Sequence, residues 1–389
     1  MLCVFDKFKD SMSPEQVASV ARQSIEATCQ NWHVLSVFLA DGGENFAKIM
    51  TDLSSGAIQK LTVQGPRDSE VEAAFGVAEI ANLALPLREL LAFKANGTVA
   101  FLEMAQSSGL QSLAMEQRDP WLTSSVGTGQ SLIEASKHGV SSMVMGLGGS
   151  ATQDLALGAL MALGLECYDA DGKVVSDASP AHWSRIACLD KSKLLALPPL
   201  WLACDVKNPL LGPQGTVYQY ALQKGLAKED LAELEKQTAR MARLLLDCFK
   251  KEESWMEREG MGAAGGMAFG LGVAYDAHIA SGAQLIEHAL DLKRRIQDVD
   301  LVITGEGRFD RTSLYGKGPV SVLELASELG KPALLIAGRV EHEAKEQLRQ
   351  RYPALEVLEL SPATMPLEQA LREAPSLLAK ALEQWLKQS

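Results

Sequence analysis

Several specialised classes of protein leave no mark on this sequence. Its 389 residues include six cysteines, at positions 3, 29, 167, 188, 204 and 248, and no two form a CxxC pair. Scattered thiols in a chain this long read as reduced, mostly buried side chains of a cytoplasmic protein, not as a disulfide framework. No HExxH string and no tight Cys/His cluster is present, which argues against structural or hydrolytic zinc. The histidines follow no catalytic grammar of the Ser/His/Asp kind. No apolar run reaches the 18 or so residues that a membrane helix needs, and Met1–Lys7 has no charged leader before an apolar core. Basic side chains are also in short supply: 37 Lys and Arg face 49 Asp and Glu, a net charge of −12. Bulk nucleic-acid binding needs the opposite balance. An anionic ligand would have to be drawn in by local groups or a bound cation, not by the overall field.

What is present is the composition of a soluble globular protein, 47% hydrophobic and 22% charged, long enough for two or three domains. The amino terminus reads as β-α-β. Leu2–Phe5 is an apolar run ending at Asp6, and Ser13-Pro14-Glu15-Gln16 has the form of a capping box with proline at the first helical position. Val17, Val20, Ala21 and Ile25 follow at helical spacing, and His33–Leu39 is a second buried-type strand. The same grammar returns near the carboxyl end, with strands at Asp300–Thr304, Ala333–Ala337 and Glu356–Leu360, a helix over Val320–Leu329 and an amphipathic closing helix from Leu371 to Leu386. Two early and three late strands predict an α/β fold with a doubly wound parallel sheet formed by both chain ends. Between them lie strand candidates at Val71–Val77, Thr98–Glu103, Ser142–Gly146 and Leu200–Asp205, and a charged helix over Lys228–Lys250. The expected division is therefore 1–60 plus 290–389 as one α/β domain, with 61–289 inserted as a second.

The sharpest motif is Gly146-Leu-Gly-Gly-Ser-Ala-Thr-Gln-Asp154, which follows a strand and opens a helical run over Leu155–Leu163. Glycines at Gly146, Gly148 and Gly149 let backbone N–H groups approach an anion, and the helix start adds partial positive charge. Ser150 and Thr152 supply hydroxyls, and Asp154 a carboxylate for a cation or a proton. The bland alternative is a tight strand-to-helix turn with a hydroxyl cap. Gly146, Gly148 and Ala151 also satisfy GxGxx(G/A), with Glu166 twenty residues on, the pattern of a nicotinamide oxidoreductase. Acid-glycine clusters recur at strand ends: Asp6-Lys-Phe-Lys-Asp-Ser11, Asp41-Gly-Gly-Glu44, Asp205-Val-Lys-Asn208-Pro-Leu and Gly305-Glu306-Gly-Arg308-Phe-Asp310. Each alone suits a turn. Their recurrence at one sheet edge suits Mg²⁺ and a phosphorylated ligand, with Lys317 in Tyr315-Gly-Lys-Gly-Pro319 a further phosphate contact. Gly260–Gly270 is a second glycine-rich segment, fit for close packing or close ligand approach.

Taken in order, these segments resemble the type-1 glycerate kinase family of bacteria. The resemblance covers about residues 3–340 and includes Ala203–Leu210, Gln223-Lys-Gly225, Gly262-Ala-Ala-Gly-Gly266, Val302–Arg308 and Gly316-Lys317. It implies a flavodoxin-like domain interrupted by a second α/β domain, with ATP and Mg²⁺ used to phosphorylate D-glycerate, usually to 2-phosphoglycerate. Departures are visible: Gln153 stands for the usual Asn, Leu155-Ala156 for Gly-Gly, and Thr312-Ser313 for Gln-Thr, and Leu83–Lys94 is an extra stretch. On this reading the active site lies in the inter-domain cleft. Asp205, Glu306, Asp310 and Lys7 are the candidate catalytic groups; Gly146, Gly148, Gly149, Ser150, Thr152 and Lys317 hold ATP. Lys9, Ser11, Asp41, Asn208 and Arg308 hold the substrate, and Asp154, Asp205 and Glu306 hold the metal. The partner is a small molecule, with no nucleic acid and no membrane, and a homo-oligomer is left open. The rival readings are phosphorylation at the 3-hydroxyl, another small-molecule kinase, the nicotinamide oxidoreductase, and a sugar-acid sensor without turnover.

Overall fold

A computed structural model describes residues 1–8, 10–29, 31–39, 43–67, 69–311, 313–314, 318–362 and 364–388. Its strands are β1 (Leu2–Phe5), β2 (Leu35–Phe38), β3 (Ala57–Gln64), β4 (Glu70–Glu79), β5 (Thr98–Glu103), β6 (Ser142–Gly146), β7 (Glu166–Tyr168), β8 (Cys188–Asp190), β9 (Leu200–Ala203), β10 (His278–Ala280), β11 (Val302–Phe309), β12 (Ala333–Val340) and β13 (Glu356–Glu359). The chain separates into two compact units, Met1–Ala40 with Ile286–Ser389, and Asp41–Leu285. The helix Phe46–Leu53 and the start of β3 thus group with the second unit, whereas the sequence put the boundary near residue 60.

The first unit is a five-stranded sheet in the order β13-β12-β11-β1-β2, with every pairing parallel. Counted within the unit, that is the flavodoxin-like order 2-1-3-4-5, whose switch point lies between its first and third strands, here β1 and β11. Leu2, Cys3, Val4 and Phe5 are all fully buried, as a central parallel strand covered on both faces requires. The capping box is present in full: Gln16 N donates to Ser13 Oγ at 3.3 Å, and Ser13 N donates to Gln16 Oε1 at 2.9 Å. The closing helix runs over Leu367–Leu386 and lays Ala374, Leu378, Leu382 and Leu386 into the core beside Val17, Ala21 and Ile25. One element differs from expectation. β11 does not stop at Thr304 but continues through the glycine-acid segment to Phe309, pairing Arg308 with Arg339 and Phe309 with Val340. Gly305 makes this possible, since a Cβ there would lie 2.0 Å from the Ile336 carbonyl oxygen.

The second unit holds a six-stranded sheet in the order β10-β9-β6-β5-β4-β3. β5, β6, β9 and β10 are parallel, while β3 and β4 add an antiparallel ribbon. Register places Glu103, Gly146, Ala203 and Ala280 in one row across the four parallel strands, so the segments that follow them leave from one sheet edge. The helix after β6 is Leu157–Ala162, shorter than the run expected from Leu155. Leu155 and Ala156 adopt left-handed φ of 53° and 61°, which keeps them out of the helix. These are the positions where the family pattern has glycines.

Candidate active site

In the second unit the glycine loop is built by backbone geometry and then locked by a lysine. Gly149, at φ 73°, turns the chain after β6. Leu110 N donates to Gly149 O at 2.8 Å and Ala151 N to Ser108 O at 2.9 Å, pinning the loop against the 108–110 segment. From the other side, Leu155 N donates to Gly265 O at 3.0 Å. Gly265 has φ 68°, and a Cβ there would meet Thr152 O at 2.0 Å. The Gly260–Gly270 segment is therefore a close-packing element that lets two backbones touch.

Lys224 is the residue that reading the sequence left without a role. Its side chain is 2% exposed, and Nζ donates to Ser150 Oγ at 2.9 Å, Thr152 O at 2.7 Å and Gln153 Oε1 at 3.1 Å. All three donors of the ammonium are used on the loop. Burial pulls its pKa down to about 7, with the negative charge of Asp154 acting in the other direction. Gln153 Oε1 also accepts from Thr216 Oγ1 at 3.3 Å, so the glutamine that replaces the usual asparagine is drawn into the same buried network. The only sequence signal was Gln223-Lys-Gly225 as one of the ordered segments.

Asp154 is fully buried, and its Oδ1 has no hydrogen bond. Its Oδ2 accepts from Ser125 N and Ser125 Oγ, both at 2.7 Å, and from Gly158 N at 3.2 Å. Burial raises its pKa against those hydrogen bonds. Asp205, half-buried beyond β9, is oriented by Ser281 Oγ at 2.6 Å on Oδ1 and by Ala283 N at 3.2 Å on Oδ2. Asn208 serves its own loop, donating to Gln214 O at 2.8 Å and accepting from Tyr220 OH at 2.5 Å. Glu103, also absent from the sequence candidates, ends β5 and accepts from Asn45 N at 3.1 Å and Ala47 N at 3.4 Å, at the start of the helix Phe46–Leu53. Burial lifts its pKa to about 7 despite those donors.

In the first unit the acids gather at the switch point. Asp6 follows β1, and Glu306 and Asp310 lie on and just beyond the end of β11. Burial, then the charges of Asp6 and Asp310, push Glu306 up to about 7, while Ser313 pulls the other way. Its Oε1 is buried without a hydrogen bond. Asp310 N donates to Ser313 Oγ at 3.2 Å, and exposed Arg308 places Nε 3.9 Å from Asp310 Oδ2. Lys7 N donates to Asp6 Oδ1 at 2.6 Å while its side chain is exposed, and Ser11 Oγ donates to Phe8 O at 2.9 Å. A Cβ on Gly318 would sit 3.0 Å from Asp6 Oδ2, so this glycine keeps the carboxylate uncrowded. Lys9, Asp41 and Lys317 lie outside the described residues.

Of the three candidate metal ligands, Asp154 and Asp205 keep different hydrogen-bond partners within the second unit, and Glu306 lies in the first. Among the described residues, no group of three or more His, Cys, Asp or Glu is arranged to hold an ion. A nucleotide-bound Mg²⁺ does not need one, because it takes one or two carboxylates and completes its shell with phosphate oxygens and water. Asp205 fits that demand, a hard oxygen donor oriented by a serine and a backbone N–H. The oxidoreductase reading fails on geometry. Glu166 lies in the two-stranded ribbon β7–β8, bonded to Tyr168 OH at 3.1 Å and Lys193 Nζ at 2.9 Å, not at the end of the next parallel strand where a ribose-binding acid belongs.

Fold and site together define an α/β protein with its polar apparatus at the carboxyl ends of parallel strands, the place where open sheets bind ligands. The model of the glycerate kinase family matches residues 1–388, and the chain belongs to that family. Membership makes it a kinase, with ATP as phosphoryl donor. A glycerate kinase of Halalkalibacterium halodurans is 33% identical over 97% of this chain and 94% of its own length. A glycerate 2-kinase of Escherichia coli K12 is 32% identical over 86% of this chain and 83% of its own. A crystal structure of a candidate glycerate kinase 2 from Salmonella typhimurium LT2 superposes with a TM-score of 0.77 at 32% identity, covering 100% of this chain and 98% of that one.

Proposed function

We propose that this protein transfers the γ-phosphoryl group of ATP to the 2-hydroxyl of D-glycerate, giving 2-phosphoglycerate, as a cytoplasmic enzyme of organic-acid breakdown. The observation that carries this reading is the whole-chain family match, with a glycerate 2-kinase among relatives of about one-third identity. The supporting chemistry is that phosphoryl transfer asks a protein for positioning, charge neutralisation and a proton acceptor, and little else.

Glu306 is the proton acceptor in this proposal: a carboxyl held at about 7 is half ionised at neutral pH, close to the best compromise between being deprotonated and being basic. Its buried Oε1, with no hydrogen bond, is the atom that would take the hydroxyl proton. The Gly146–Thr152 loop binds phosphate oxygens through its backbone, and Lys224 keeps that loop in one shape from behind. Asp205 would hold Mg²⁺, which when bound neutralises charge on the phosphates. Lys7 and Arg308, both exposed, supply positive charge for the carboxylate of glycerate. Asp154 is assigned a positioning part, fixing the Ser125 turn against the helix that follows the loop.

Purified protein with ATP, Mg²⁺ and D-glycerate, followed by ³¹P NMR, tests the proposal. The expected product is 2-phosphoglycerate. Formation of 3-phosphoglycerate would move the reaction to the other hydroxyl, and no phosphoglycerate above a protein-free control would overturn the reading.

A further inference from the structure

The first unit contains a cavity of about 310 Å³ that the substrate candidates Ser11 and Arg308 border and whose remaining lining has no part in phosphate or proton chemistry. It lies beyond the carboxyl ends of β11, β12 and β13, beneath the closing helix Leu367–Leu386. Leu360, Leu371, Ala374 and Leu377 give it apolar walls. Gly307 and Gly338 contribute backbone to its lining, because the two strands approach so closely that a Cβ on Gly338 would sit 2.3 Å from Gly307 O. Its polar groups are few. Arg339 lines it, donates to Met365 O through Nη2, and has a buried Nε with no hydrogen bond. Glu341 and exposed Arg308 also border the space.

A three-carbon hydroxy acid has no use for aliphatic walls, since burying its polar atoms against leucine side chains would cost hydrogen bonds to water. ATP, the donor that family membership supplies, has a planar and largely apolar end. We propose that this cavity takes the purine of the nucleotide, an inference that rests on the kinase reading above. The ring lies between the leucines of the closing helix and the glycine backbones. A ring nitrogen accepts from Arg339 Nε, and Glu341 accepts from the exocyclic amine. The volume suits this division of labour, standing at the lower end of the 300–1,000 Å³ range of small-molecule sites, room for a base but not for a triphosphate as well.

Two measurements test it. In the full-length protein with ¹³C-methyl leucine, titration with adenosine is expected to shift Leu360, Leu371 and Leu377 and to leave Leu195, exposed in the second unit, unmoved. Filling the cavity with Ala370→Phe, on the half-buried face of the closing helix, is expected to raise KM for ATP about tenfold with kcat and KM for glycerate unchanged, the signature of lost ground-state binding. Silent cavity leucines overturn the proposal, and so does a folded Ala370→Phe protein with the parent's KM for ATP. The two readings fail separately. Leucine shifts without glycerate phosphorylation would keep the purine site and remove the proposed reaction; phosphorylation with silent leucines would do the reverse.

Discussion

Glu306 in the first unit and Lys224 in the second are opposite charges subjected to the same treatment. Each is withdrawn from water, and burial disfavours the charged form of both, so the acid is pushed up to about 7 and the base down to about 7. What differs is the company they keep. Lys224 spends its three N–H donors on Ser150, Thr152 and Gln153, whereas Glu306 faces two further carboxylates and keeps Oε1 without a hydrogen bond. A satisfied buried charge fixes a structure; an unsatisfied one is available for chemistry.

The largest expected effect comes from removing the proposed proton acceptor. Glu306→Gln should lower kcat by about 10²–10⁴-fold, the range of a lost general base. It should also make the protein more stable at pH 8. A carboxyl raised from 4.5 to about 7 supports the fold below pH 4.5 and loses that support as pH rises toward 7, a loss that glutamine does not suffer. Urea titrations at pH 5 and pH 8 read the difference; a variant less stable than the parent at pH 8 contradicts the assignment.

Next comes the packing that shapes the loop. Gly265→Ala forces a side chain into left-handed backbone and against Thr152 O, and should destabilise by about 3 kcal/mol or more. Gly149→Ala shares the backbone problem, but its Cβ would meet only the Ala105 Cβ at 3.1 Å, and about 1–2 kcal/mol is expected. Equal losses in thermal denaturation would show that backbone strain, not close approach, dominates.

Lys224→Met sharpens the other half of the comparison. Leaving Ser150, Thr152 O and Gln153 without their donor should cost about 1–3 kcal/mol. The parent should gain stability as pH rises from about 7 to 10.5, since the unfolded lysine stays protonated over that window and the folded one does not. That gain should vanish in the variant, and its persistence would assign the slope to other groups. The smallest effect is expected at Ala156→Gly. This restores the family's glycine at φ 61°, where relief of left-handed strain and the added freedom of the unfolded chain nearly cancel, leaving stability within about 1 kcal/mol of the parent.

Much of the fold was legible because it follows from local rules. Apolar runs of about four to seven residues between turn signals marked the strands, and the Ser13–Gln16 box marked the first helix start. β11 was misjudged in length because glycine and acid residues read as a turn, while the pairing of Arg308 with Arg339 that extends the strand is set by a segment thirty residues away. The candidate site was legible as segments and not as partners. Gly146–Asp154 stands out by its glycines, but the enclosure of Asp154 by Ser125 and Gly158 is set by residues outside that segment. Lys224 entered only within Gln223-Lys-Gly225, and Glu103 only as the last residue of a strand candidate.

By itself, the sequence determined the order of elements, the parallel sheet shared by the two chain ends and the family, since these depend on periodicity, caps and motif order. It also determined the shortage of basic groups, which leaves any anion to local donors. Tertiary structure alone decided which polar groups are buried, what satisfies them and therefore where their pKa values lie. Desolvation depends on every neighbour in space, and the neighbours that trap Lys224 and raise Glu306 include residues far from them along the chain.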